Sequence, residues 1–192
     1  MTRVRRMPSH GTDVDLLERY NDLCRALCRE PAPLAEAEER LRWIGRHRRE
    51  YAMPVLMAAY VVASAAFTLF FGGTLRDALC GGLCGLAIGV ALTAMTWLKT
   101  NLFFKSMIGA AISALLALGL THVGLGQHSE KIIIGALMAL VPGIIFTNAI
   151  RDVMAGDMVA GISKIADALL TGVSVALGTA FALGITRFLW GV

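Results

Sequence analysis

Five stretches of this chain contain no Asp, Glu, Lys or Arg: residues 54–73, 78–97, 106–125, 132–150 and 168–186. Each is 19 or 20 residues long. At a rise of about 1.5 Å per residue, a helix of that length covers the roughly 30 Å hydrocarbon core of a bilayer, and a helix satisfies its own backbone polar groups there. The five windows are therefore expected to be transmembrane helices. A soluble helical protein carries a polar stripe on most of its helices, which these windows lack. Composition agrees, with 56% hydrophobic and 17% charged residues and a mean hydropathy of +0.65.

Residues 1–53 differ, holding 11 Lys or Arg and 9 Asp or Glu. Apolar residues recur there at helical spacing, first as Leu16, Leu17, Tyr20, Leu23, Cys24, Leu27 and Cys28, then as Leu34, Ala37, Leu41 and Ile44. A Thr12-to-Asp15 capping pattern precedes the first set, and Pro31 and Pro33 separate the two. The expectation is a helical hairpin over 1–53 followed by a membrane domain over 54–192. The Arg-rich start, including Arg5 and Arg6, leads into charged helix rather than an apolar core, so no cleavable or twin-arginine leader is expected.

Basic residues set the orientation. Arg40, Arg42, Arg46, Arg48 and Arg49 precede the first window, Lys99 and Lys105 flank the loop after the second, and Arg151 and Lys164 follow the fourth. All lie on one side, against Arg76, Lys131 and Arg187 on the other. The positive-inside rule then predicts a cytoplasmic N-terminus and an external C-terminus. The fold class expected is all-α: a polytopic membrane protein with five transmembrane helices after a cytoplasmic hairpin. Topology accounts for the net charge of +4, and no basic patch interleaved with aromatics suggests nucleic acid. Trp97 and Trp190 stand at window ends, where interfacial anchors belong, and His122 near the outer end of the third.

Short loops at 74–77, 98–105 and 126–131 force neighbouring helices to pack antiparallel. Gly81, Gly85 and Gly89 repeat every fourth residue and predict a close helix-packing face. The cysteines form two i,i+4 pairs, Cys24 with Cys28 and Cys80 with Cys84. The first lacks the further Cys or His ligands a metal needs, and the second sits in apolar surroundings, so both read as structural. No cofactor motif is visible.

Intramembrane polarity concentrates between Gly135 and Gly178. Pro142 and Gly143 fall mid-window, where proline removes a backbone hydrogen bond and clashes with the preceding turn, so the helix is expected to kink or break. A break frees the amides of the second half-helix, whose partial positive charge can receive a carboxylate. Thr147 and Asn148 lie a turn beyond as polar contacts. A kink used only for packing is the alternative. Arg151, Asp152, Asp157, Lys164 and Asp167 follow, and Asp167, Thr171, Ser174 and Gly178 trace one helix face. Asp167 reads either as a proton acceptor or substrate contact, or as a cap of the fifth helix paired with Lys164.

The stretch LVPGIIFTNAIRDVMAGDMVAGISKIADALL closely resembles the signature region of the threonine/serine exporter family, also called DUF1212. The resemblance rests on Pro142-Gly143, Thr147 to Asp152 and Ala155 to Asp157. It extends back through IIIGALMALVPG, Asn101 to Phe104 and FTLFFGG, to about Asp13. Ala160 stands where the family usually has serine, and Lys164 and Asp167 where it has arginine and glutamate. The N-terminal cytoplasmic region is shorter than usual. The resemblance implies a bacterial inner-membrane, five-helix first subunit, acting with a second membrane subunit to export small carboxylate-bearing metabolites such as threonine, serine or succinate.

The resulting expectation is a subunit of a proton-linked, alternating-access exporter. Pro142, Gly143, Thr147 and Asn148 would contact substrate, and Arg151, Asp152, Asp157, Lys164 and Asp167 would gate or couple protons. A non-transporting scaffold or regulatory subunit is the alternative. An enzyme using Asp152, Asp157 and Asp167 with a divalent metal is disfavoured, because their spacing gives no continuous one-face cluster.

Overall fold

A computed structural model of the chain describes residues 13–47 and 51–190, the side chain of Trp190 excepted. Arg5, Arg6, Thr12, Arg48 and Arg49 of the sequence reading lie outside the described residues. Within them the chain is all helical: α1 Val14–Arg29, α2 Leu34–Arg46, α3 Met53–Phe70, α4 Leu75–Trp97, α5 Leu102–His122, α6 Ser129–Leu137, α7 Gly143–Met154 and α8 Met158–Trp190. Contacts divide the chain into Met1–Tyr51 and Ala52–Val192.

In the first unit the Asp13 carboxylate caps α1, accepting from the Leu16 amide at 3.1 Å. The Arg19 guanidinium donates to the His47 carbonyl at 3.0 Å and so ties α1 to the end of α2. Leu23 and Ile44 are buried, whereas Leu17, Leu34 and Leu41 remain exposed. The ion pairs Arg40–Glu36 and Arg42–Glu38 support α2 at i,i+4 spacing.

The second unit is built around α4. Gly81, Gly85 and Gly89 lie against α3, where a Cβ on Gly85 would come 2.5 Å from the Tyr60 carbonyl oxygen and one on Gly89 would come 2.9 Å from the Tyr60 ring. Only glycine lets the two backbones approach this closely. The contact buries Ser64 and Thr68, and Thr68 returns its hydroxyl to the Ser64 carbonyl at 2.8 Å. The adjoining face of α4 meets α5 and α6 in a core of Cys80, Cys84, Ile88, Ala110, Ala117, Ile132, Ala136 and Leu140. Cys80 and Cys84 are thus buried packing residues.

Among the described residues, four helices have the length and composition to cross a membrane: α3, α4, α5 and residues Met158–Leu189 of α8. Their limits differ from the charge-free windows. At about 1.5 Å per residue, the 33 residues of α8 extend roughly 50 Å, well beyond a hydrocarbon core. The window 168–186 therefore forms only part of the helix, because Lys164 and Asp167 end the apolar run without ending the helix. The window 132–150 divides between α6 and α7, with residues 138–142 between them. α6 packs among α3, α4 and α5, whereas α7 packs against α8.

Candidate functional site

The break begins as α6 tightens into short turns, with the Leu140 amide donating to the Leu137 carbonyl at 2.8 Å. Pro142 cannot donate, and α7 starts immediately after it. The Gly143 amide bonds to the Val141 carbonyl at 2.9 Å and the Phe146 amide to the Pro142 carbonyl at 3.0 Å. No side chain caps α7, so its first turn keeps the partial positive charge of a bare helix start. A cleft of about 450 Å³ adjoins the break, with Leu137, Val141 and Pro142 on one side and Gly172, Val175 and Thr179 of α8 among the residues on the other.

Thr147 and Asn148 occupy different faces of α7. Thr147 is exposed and donates its hydroxyl to the Gly143 carbonyl at 3.0 Å. Asn148 is half-buried, next to the buried Ala149 at the α8 contact. A Cβ on Gly161 would lie 3.1 Å from the Ala149 carbonyl oxygen and would collide with the Val153 side chain. Glycine at 161 is therefore what lets α8 lie on α7.

The charged residues divide similarly. Asp152 of α7 pairs with Lys164 of α8 across this contact. Gly156, at φ +92°, turns the chain between the helices. Asp157 starts α8, its carboxylate accepting from the Ala160 amide at 3.2 Å and its carbonyl from the Gly161 amide at 3.0 Å. Arg151 and Asp167 are exposed and stand apart from that pair. The alternative in which Asp167 caps the fifth helix and pairs with Lys164 is corrected. Asp167 lies inside α8, Asp157 occupies the cap, and Lys164 reaches Asp152.

The stripe from Asp167 to Gly178 is similarly divided. Thr171 and Ser174 are buried and return their hydroxyls to the Asp167 and Thr171 carbonyls, at 2.9 Å and 2.7 Å. Gly178 sits directly on the Met107 carbonyl of α5.

Sequence reasoning missed a polar centre at the other end of α4. Asp77 is fully buried. Its Oδ1 accepts from the amides of Gln127 at 2.6 Å and His128 at 3.1 Å, joining the start of α4 to the loop before α6. Its Oδ2 accepts from the Thr74 amide and hydroxyl, both at 2.9 Å, and lies 3.0 Å from His128 Nδ1. The signal was present as a Thr followed three residues later by an acid before an apolar run, the capping-box pattern.

Apolar helices of membrane-crossing length, joined by short turns and accompanied by one broken segment, define a multi-pass membrane protein. The chain belongs to the threonine/serine exporter family: the family model described as "Putative threonine/serine exporter" (ThrE) matches residues 1–186. It is also similar to the "Probable threonine/serine exporter" of Mycobacterium tuberculosis, with 20% identity over 188 residues, covering 97% of this chain and 35% of that protein. The chain thus spans about a third of the length of the curated relative it matches. No solved structure matches.

Proposed function

We propose that this chain is a subunit of a secondary exporter for small carboxylate-bearing metabolites, with threonine and serine the first candidates and a dicarboxylate such as succinate a further one. The observation that carries the reading is the break at 138–142 with an uncapped helix start at Gly143; Val141 and Pro142 of the break line an apolar cleft whose lining includes none of Gly143, Thr147 and Asn148. A substrate carboxylate would meet the amides that follow Gly143 in the first turn of α7, and Asn148 and Thr147 would contact its polar groups.

In this reading α6 and α7 together make the fourth of five crossings, between α5 and α8. The basic residues put the hairpin of α1 and α2 in the cytoplasm of a bacterial cell and the C-terminus outside its inner membrane. Asp152, Lys164, Asp157, Arg151 and Asp167 then gather at the cytoplasmic end, where breaking and remaking the Asp152–Lys164 pair gates the cleft. Proton coupling falls to the carboxylates of this group. Backbone groups freed by the break cannot face lipid, so a second membrane subunit covers the open side of the cleft.

Reconstitution into liposomes, with and without a second membrane subunit of the same family, tests this. Flux of labelled threonine, serine and succinate is measured under a pH gradient. The expected result is flux in the paired sample, lowered at least about tenfold by Asn148→Ala, as for loss of a hydrogen bond to a charged group. An unchanged rate in that variant, or no flux in any sample, contradicts the proposal.

A further inference from the structure

The helices around the cleft divide between two bodies. α6 is held by α3, α4 and α5, whereas α7 packs against α8. α8 itself changes partner along its length. Near its start Gly161 lies on Ala149 and Val153, and Lys164 pairs with Asp152, both contacts being with α7. Further on, Gly178 lies on Met107 and Ala110 of α5. The change of partner falls between Lys164 and Gly178.

That interval holds a glycine that packing does not require. Gly172 has open space where a Cβ would stand, so no packing contact requires glycine there. Its backbone is the least restrained of any residue in a helix. On either side, the hydroxyls of Thr171 and Ser174 bond back to carbonyls of their own helix, an arrangement that competes with the backbone ladder and bends helices. The other connection between the two bodies is residues 138–142, where the backbone has already left the helix. Val141 and Pro142 from one connection and Gly172 and Val175 from the other line the same cleft.

We infer that α7 and residues 158–171 of α8 form one rigid arm, which turns on two hinges, residues 138–142 and Thr171–Ser174. The Gly161 contact and the Asp152–Lys164 pair hold the arm together. Val141, Pro142 and Gly172 of the hinges line one end of the cleft, so rotation of the arm moves that end, while Leu137 and α8 from Val175 onward stay with the bundle. The inference deepens the exporter reading and rests on it for the purpose of the motion.

Distances between spin-label pairs test the arm in the full chain in lipid nanodiscs. The labels are carried on genetically encoded unnatural residues, so the four native cysteines stay in place. One pair, at Phe146 and Ile162, lies within the arm. A second, at Val159 and Leu98, joins arm to bundle, and a third, at Leu98 and Val123, lies within the bundle. The expected result is narrow distributions for the first and third pairs and a broad or two-peaked one for the second. Gly172→Ala, which places a methyl group in open space, is expected to shift the population ratio of the second pair about fivefold, as for the helix preference of alanine over glycine.

An arm-to-bundle distribution as narrow as the bundle control overturns the inference, as does a within-arm pair as broad as the arm-to-bundle pair. No response to Gly172→Ala removes the hinge from Thr171–Ser174. These distances require neither substrate nor second subunit. A moving arm in a protein without flux defeats only the exporter reading, and flux with a fixed arm defeats only this one.

Discussion

Asp77 shows how much one side chain can hold in place. A fully buried carboxylate stays favourable only when its lone pairs are engaged, and here they cap α4 and fasten the loop that leads into α6. Asp77→Ala removes the cap and leaves the Gln127 and His128 amides without their acceptor. The expected cost is about 3 kcal/mol, seen as a lower thermal unfolding midpoint in detergent, with Asp77→Asn intermediate. An unchanged midpoint for the alanine variant contradicts this role. Asp77 escaped the sequence reading because it stands one residue before a charge-free window, where a charge reads as the end of a span. Asp157, grouped by the sequence with the other acids, also starts α8, its carboxylate accepting from the Ala160 amide.

Among the elements, the interruption between α6 and α7 was legible because its cause is covalent: proline has no amide to donate. The length of α8 was not legible. A charge-free window marks where the solvent changes, whereas a helix continues as long as its backbone bonds do, and Lys164 and Asp167 interrupt only the first. The partner of each helix also lay beyond the sequence. Spacing put Thr171 and Ser174 on a polar stripe, but burial and backbone bonds take up both hydroxyls.

The interruption itself is open to test. Replacing Pro142 and Gly143 together by alanine restores an amide and helix propensity at two adjacent positions, worth up to about 4 kcal/mol in a free helix interior. The double variant is expected to join α6 to α7, raise the unfolding midpoint and lower flux at normal membrane levels. A lower midpoint with unchanged flux contradicts the view that the interruption serves transport at a cost in stability.

At the scale of the whole molecule, the five charge-free windows map onto four membrane-length helices and one broken pair, all within residues 52–192. The polar region of the first 51 residues forms a separate unit. Membership of the threonine/serine exporter family covers almost the entire chain, yet the curated relative is about three times as long.

The account depends on water reaching the break at bilayer depth, and cysteine accessibility measures that directly. Single cysteines are placed at Gly143, Thr147 and Asn148, with Leu116 of α5 as control, in vesicles containing the chain with and without the proposed second subunit. A membrane-impermeant thiol reagent is then applied with and without substrate. The account predicts that the α7 positions react, that added substrate slows them, and that the control stays inert. Break positions as unreactive as Leu116 would show a sealed, dry segment and contradict it.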